Sequence, residues 1–259
     1  MSEKPQPLWL RIYTFLVYLY IYIPIVILVV FSFNTQKLNI SWHGFTLSWY
    51  DILFRDQQVQ LATRNTLIIA AVCTVCATVI GTLAALAMQR THFPGYEASE
   101  ALMYIPIVIP EVVMGISLLV FFVMTKFTLG LLTIGLSHIA FSIPFVALVV
   151  RARLHGYDHS IDEAAMDLGA NEMTTFWRVT LPTIMPGILS GALLALTLSL
   201  DDYVITYFTA GPGSTTLPLR VFSMVRFMVT PEVNALSTLW VLIVFIVLLV
   251  GQIVQSRNT

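Results

Sequence analysis

The sequence predicts an all-α membrane protein whose chain crosses the bilayer about six times. Of its 259 residues, 58% are hydrophobic and only 10% are charged, whereas soluble domains carry roughly one quarter charged residues. The mean hydropathy of +0.85 points the same way. Six apolar stretches, roughly 10–33, 65–88, 102–124, 130–150, 184–207 and 234–255, are each long enough to cross the hydrocarbon as a helix. They use most of the chain, so a single transmembrane domain over 1–259 is expected. The net charge of -1 gives no reason to invoke nucleic acid.

The first stretch follows Lys4 and Arg11. It is too long for a secretory signal and ends at Phe31, Ser32, Phe33 and Asn34, which do not form a small-x-small cleavage pattern, so an uncleaved first span is expected. Segment 34–64 mixes Trp42, Phe45, Trp49, Tyr50, Ile52, Leu53 and Phe54 with polar residues, a composition suited to the membrane interface. The second stretch contains Cys73 and Cys76, expected to be small packing residues because three residues apart on a helix is poor disulfide geometry. Pro94-Gly95 suits a tight turn in the polar connection 89–101.

In the third stretch Pro106 and Pro110 each remove a backbone donor, which predicts a kink or break with Glu111 near the start of the resumed helix. The fourth stretch follows a very short connection and holds His138, read as a hydrogen-bonded packing residue. The fifth carries Asp201 and Asp202. Segment 208–233, rich in Gly, Pro, Ser and Thr, is expected to be a structured loop or re-entrant excursion before the sixth stretch.

Between the fourth and fifth stretches lies the polar loop 151–183. Ser160 and Glu163 stand as an S-x-x-E capping box, and Asp162 and Glu163 favour the positive end of a helix. Ala164 and Ala165 favour helix, and Gly169 suits the left-handed residue that closes one. A short helix, a sharp bend at Gly169 and a second stretch ended by Pro182 are expected. The loop resembles the cytoplasmic EAA loop of ABC importer permeases: E-A-A, three residues, Gly, nine residues, Ile, one residue, Leu-Pro. Glu163, Ala164, Ala165, Gly169, Leu181 and Pro182 match it, with Val179 at the Ile position and the spacing kept.

The acids inside apolar stretches are costly, about 2.5–3.5 kcal/mol each at mid-membrane. Asp201 and Asp202 must therefore face protein, water or a cation, unless both lie at the outer end of their span. Successive helix residues point about 100° apart, so the two carboxylates take different roles: one can line a pathway while the other caps backbone or pairs with a neighbouring subunit. Glu111 at a broken helix is the second such position; the alternative is a kink that only shapes packing. Tyr203 and Tyr207, with Phe208 beside them, add aromatic faces. Carboxylates with aromatics suit an elongated organic cation, although tyrosines near a span end also belong to interface belts.

The run from Thr197 to Leu236, together with Ser32-Phe33-Asn34, is similar to the spermidine/putrescine (polyamine) importer permeases, most closely those of the PotC type. This resemblance implies a type I ABC importer permease fold and an assembly in the bacterial cytoplasmic (inner) membrane. It would contain a homologous second permease, two cytoplasmic ATPase subunits docked on the EAA loops and an extracytoplasmic substrate-binding protein. The ATPase would bind ATP and Mg; no cofactor is implied in this chain, which lacks the G-x-x-x-x-G-K-[S/T] phosphate loop. The resemblance also implies that the EAA residues are coupling residues; Asp201, Asp202, Glu111, Tyr203 and Tyr207 are expected to belong to the substrate pathway from their own chemistry. No metal site and no catalytic constellation is expected.

Charge bias says little about orientation. Cytoplasmic termini and a cytoplasmic EAA loop put Lys4, Arg11, Arg90, Arg151, Arg153, Arg178 and Arg257 inside and leave Lys37, Arg55, Arg64, Lys126, Arg220 and Arg226 outside, seven against six. Two competing readings stay open. A permease of the same class for another small solute keeps the EAA spacing; an ion-coupled secondary transporter explains the acids but leaves that spacing to chance.

Overall fold

The computed structural model describes residues 7–37, 40–90 and 94–256. Lys4 and Arg257, two of the residues that enter the charge count, lie outside the described residues. The chain forms twelve α-helices in the described residues: α1 (Leu8–Phe31), α2 (Ser48–Arg55), α3 (Gln57–Arg90), α4 (Tyr96–Val108), α5 (Glu111–Met124), α6 (Leu131–His155), α7 (Ser160–Asp167), α8 (Glu172–Thr175), α9 (Leu181–Asp201), α10 (Val204–Thr209), α11 (Leu217–Val225) and α12 (Pro231–Ser256). A π-turn, Phe176–Thr180, joins α8 to α9. Among the described residues five helical runs are long and apolar enough to cross a membrane, and α4 with α5 makes a sixth candidate bent by 112°.

Two of the six expected spans are thus divided. The break in the third falls at Ile109 and Pro110, while Pro106 is tolerated inside α4. The fifth ends at Asp201, and the chain resumes as α10 after Asp202 and Tyr203. Pro182 does not end a helix either: the run from Glu172 to Asp201 is continuous for 30 residues. The π-turn just before Pro182 widens the hydrogen-bond ladder where the proline can neither donate nor clear the preceding turn.

The chain packs as two compact units. In the smaller, 1–60 with 221–243, the run after α1 staples the following segment. Asn34 Nδ2 donates to the Ser41 carbonyl at 2.9 Å, Asn34 Oδ1 accepts from the His43 amide at 3.0 Å, and Trp49 Nε1 donates to the Asn34 carbonyl at 2.7 Å. Phe33 stacks on Phe45 at 5.1 Å, and Ser32 Oγ lies 2.7 Å from Tyr50 Oη. Asn34 and Phe45 pair as an antiparallel bridge. This internal bonding explains why so polar a segment folds back on itself.

In the larger unit, 61–220 with 244–259, the core is made where α3, α6 and α9 meet. It contains Cys73, Ala77, Ala85, Val146, Ala147, Val150, Ile184 and Ala195, all buried. Small residues let helix backbones approach in a solvent as apolar as the side chains. A Cβ on Gly81 would lie 2.8 Å from Val146 Cβ, and one on Gly191 would lie 3.1 Å from Val146 Cγ1. Cys73 is a packing residue in contact with Ser142. Segment 210–216 is a structured loop: Asn65 Nδ2 donates to the Thr215 carbonyl at 3.0 Å, and Thr66 Oγ1 accepts from the Leu217 amide at 2.8 Å.

Candidate coupling loop and translocation site

The polar loop starts as α7, but not by the expected capping box. Ser160 is already helical, and the Asp158 carboxylate accepts from its backbone N–H at 3.0 Å. That bond holds the Asp158 carboxyl below the usual range. An Asx turn competes with a Ser cap because the shorter loop D-H-S satisfies the same orphan donor one residue earlier. Glu163 is left exposed, as is Ala164, with Ala165 half-buried.

The end of α7 is closed by a Schellman motif. The Ala170 amide donates to the Ala165 carbonyl at 3.1 Å and the Gly169 amide to the Met166 carbonyl at 2.9 Å. Gly169 takes φ +92°, where a side chain would be strained. Asn171 then caps α8, its Oδ1 accepting from the Thr174 amide at 2.8 Å. The turn at Gly169 thus sets the exposed face of α7 beside α8. Between them, with Gln89 of α3, lies a cleft of about 430 Å³ lined by Glu163, Met166, Glu172, Thr175 and Phe176. Leu168, Met173 and Trp177 are exposed nearby. Leu181 is half-buried and Pro182 exposed at the start of α9, on the other side of the π-turn.

One residue that sequence reasoning treated only as a dipole partner holds this loop together. Asp162 is 8% exposed. Its Oδ1 accepts from Tyr157 Oη at 2.6 Å and from Thr180 Oγ1 at 2.8 Å. It therefore joins the end of α6, the start of α7 and the π-turn leading into α9. The signal available in sequence was weak: Asp162 and Thr180 stand eighteen residues apart with the turn at Gly169 between them, so no single helix or strand carries them on one face.

The second cluster lies where α5 and α10 begin. Asp202, at the break of the fifth span, caps α10: Oδ1 accepts from the Ile205 amide at 3.2 Å, and Oδ2 from the Thr206 amide and hydroxyl, both at 2.8 Å. It also meets His138 Nε2 at 3.1 Å. Asp201, the last residue of α9, is exposed. So the two adjacent carboxylates do diverge, one inward to the chain and one outward. Glu111 opens α5, exposed, within reach of the charges on both aspartates. α5 packs directly on α10, where a Cβ on Gly115 would lie 2.6 Å from Phe208 Cδ2. Tyr203 and Tyr207 are 5.7 Å apart between ring centroids, and Tyr207 meets Phe208 edge-on at 5.3 Å. The structure thus gathers Glu111, Asp201, Asp202, Tyr203 and Tyr207, five residues drawn from the span 111–207, around two helix breaks. No cluster of three or more His, Cys, Asp or Glu able to hold a metal occurs among the described residues.

Comparison with known proteins adds the family. Residues 77–257 match the model of the family described as "Binding-protein-dependent transport system inner membrane component". The chain is 46% identical over 217 residues to the putrescine transport system permease protein PotI of Escherichia coli (strain K12), covering 81% of this chain and 77% of that protein. It is 39% identical over 246 residues to the spermidine/putrescine transport system permease protein PotC of Haemophilus influenzae, covering 95% and 96%. The fold is similar to a chain in the crystal structure of a bacterial ABC transporter involved in the import of the acidic polysaccharide alginate, with a TM-score of 0.78, 18% identity and coverage of 97% and 96%. The chain belongs to the family of binding-protein-dependent transport system inner membrane components, and it is a transport permease subunit and not an enzyme.

Proposed function

We propose that this chain is one of two homologous permease subunits of an ATP-driven ABC importer, that the two together enclose the translocation pathway, and that its cargo is a polyamine. The observation that carries the cargo is the convergence of exposed Asp201 and Glu111 with the Tyr203–Tyr207 pair at two helix breaks. Separated carboxylates and aromatic faces match the spaced ammonium groups and apolar links of putrescine or spermidine. The relatives named above, permeases of putrescine and spermidine/putrescine systems, support the same cargo.

In this reading two ATPase subunits dock on the EAA loops, bind ATP and Mg, and close on each other. An extracytoplasmic binding protein delivers the solute, in keeping with the family's description. The loop and both termini lie in the cytoplasm. Glu163, Ala164 and Ala165 offer a small exposed surface, and the acidic cleft beside them suits a basic side chain with an apolar stem. Leu181 and Pro182 start the helix that receives the push.

Transmission follows from the continuity of the run Glu172 to Asp201. At about 1.5 Å per residue it is roughly 45 Å long, enough to connect the cytoplasmic loop with the acids near the far end. Asp162 ties α7 to the base of this run through Thr180. A displacement of α7 by the ATPase pair therefore moves α9 and its terminal Asp201 as a hinged unit.

The test is co-purification and uptake. The complex should retain an ATPase subunit, and Glu163→Ala or Gly169→Val should depress polyamine uptake in cells that still assemble it. Absence of any ATPase, with uptake unaffected by both substitutions, would mean the protein is not an importer permease of this kind.

A further inference from the structure

The fifth span is broken at Asp202 with neither proline nor glycine at the break, and one side chain of α6 reaches both halves. His138 is 3% exposed. Its Nδ1 lies 2.8 Å from Ser199 Oγ, in the last turn of α9. Its Nε2 lies 3.1 Å from Asp202 Oδ2 and 3.0 Å from Thr206 Oγ1, on α10. Thr206 spends its hydroxyl proton on Asp202, so its oxygen faces the ring as an acceptor. A carboxylate and a spent hydroxyl both require a proton on Nε2, and Ser199 can serve Nδ1 as donor or acceptor. The orientation of the ring is thereby fixed by groups on each side of the break.

Ser199 is buried, so this Ser–His–Asp set presents no nucleophile. What it does is geometric. Backbone left unpaired at a helix break in hydrocarbon costs several kcal/mol, and Asp202 removes that cost only while its own charge is held. His138 supplies the hydrogen bond that holds it. Beyond the break, α10 carries Phe208 into the space left by Gly115 of α5, so the angle at Asp202 also fixes α5 and its first residue, Glu111.

We infer that His138 is a positioning residue for the solute-facing carboxylates: by clamping α9 to α10 it sets where Asp201 and Glu111 stand. This rests on the reading of Asp201 as a group that meets a cationic solute. No contact between His138 and the solute is involved, since the ring is buried against its three partners, Ser199, Asp202 and Thr206.

The experiment is a double-substitution cycle on spermidine uptake by the complete complex in proteoliposomes, with its binding protein saturating. His138→Ala should raise the apparent KM about tenfold while the maximal rate stays within about twofold, and His138→Gln, which keeps an N–H donor, should stay within about threefold of the native KM. Asp201→Asn should itself raise KM. The double substitution His138→Ala/Asp201→Asn should raise KM by clearly less than the product of the two single effects, because only Glu111 is then left for the clamp to position. If the two effects multiply, or if His138→Ala lowers only the maximal rate, the positioning role is overturned. If Asp201→Asn leaves uptake unchanged, the assignment of Asp201 to the pathway fails, a result separable from the first. Where His138→Ala does not assemble, Thr206→Val carries the same cycle, with the same outcomes deciding.

Discussion

Replacing Asp162 by Ala separates the coupling helix from the span it is held to move. The carboxylate accepts from Tyr157 Oη at 2.6 Å and Thr180 Oγ1 at 2.8 Å. Hydrogen bonds to a charged group contribute about 1.5–3 kcal/mol each, and a buried hydroxyl left unsatisfied costs about 1–3 kcal/mol. Thr180 is 1% exposed, so water does not readily replace its lost acceptor. Relief of the desolvation of Asp162 works in the other direction, and the net tether is about 2–4 kcal/mol. Asp162→Asn keeps an acceptor of the same shape and should lose about 1 kcal/mol.

Amide hydrogen exchange over residues 160–170 measures this tether directly. A loss of about 3 kcal/mol corresponds to roughly 100-fold faster exchange in α7, with the amides of α6 and α9 little changed. In the assembled transporter the same substitution should leave ATP hydrolysis running while solute moved per ATP falls several-fold. Native exchange in α7 together with a native transport-to-hydrolysis ratio in Asp162→Ala would refute the claim that Asp162 links loop to span.

Other substitutions probe separate parts of the account. Gly169→Ala meets open space but a φ of +92°, so a purely backbone cost of about 1–2 kcal/mol should appear as fraying of α7 in hydrogen exchange. Asp201→Asn and Asp202→Asn should differ: the first should cut polyamine uptake with complex yield and Tm retained, whereas the second should lower Tm as well, because it weakens the α10 cap and leaves His138 without its charged partner. Equal effects of the two on Tm would contradict the division of roles. Gly81→Ala forces a Cβ to 2.8 Å from Val146 Cβ and 2.9 Å from the Ile143 carbonyl, and should destabilise the larger unit by about 1–3 kcal/mol in thermal unfolding.

The spans were legible because burial in a bilayer imposes one simple pattern, a long apolar run. Their ends were less so: α3 begins at Gln57, well before the apolar stretch, since a polar first turn continues a helix outside hydrocarbon. Pro110 announced its break because proline removes a donor. Asp202 did not, because its break depends on a carboxylate capping the Ile205 and Thr206 amides, although Asp followed three and four residues later by donors is a helix-start signal even inside an apolar stretch. The left-handed turn at Gly169 was readable from residue type. The links Asp162 to Thr180 and His138 to Asp202 were not, because they join residues whose proximity is decided by how α6 and α9 pack. The Ser160 capping box was displaced for a local reason that the sequence does contain, Asp158 two residues earlier.

The most direct test of the central claim is substrate-stimulated ATP hydrolysis by the reconstituted complex with its binding protein, comparing putrescine, spermidine and non-cationic solutes side by side. The account predicts stimulation by a polyamine, abolished by Glu163→Ala in the coupling loop and weakened by Asp201→Asn. Stimulation only by a non-cationic solute, or hydrolysis indifferent to Glu163, would contradict it.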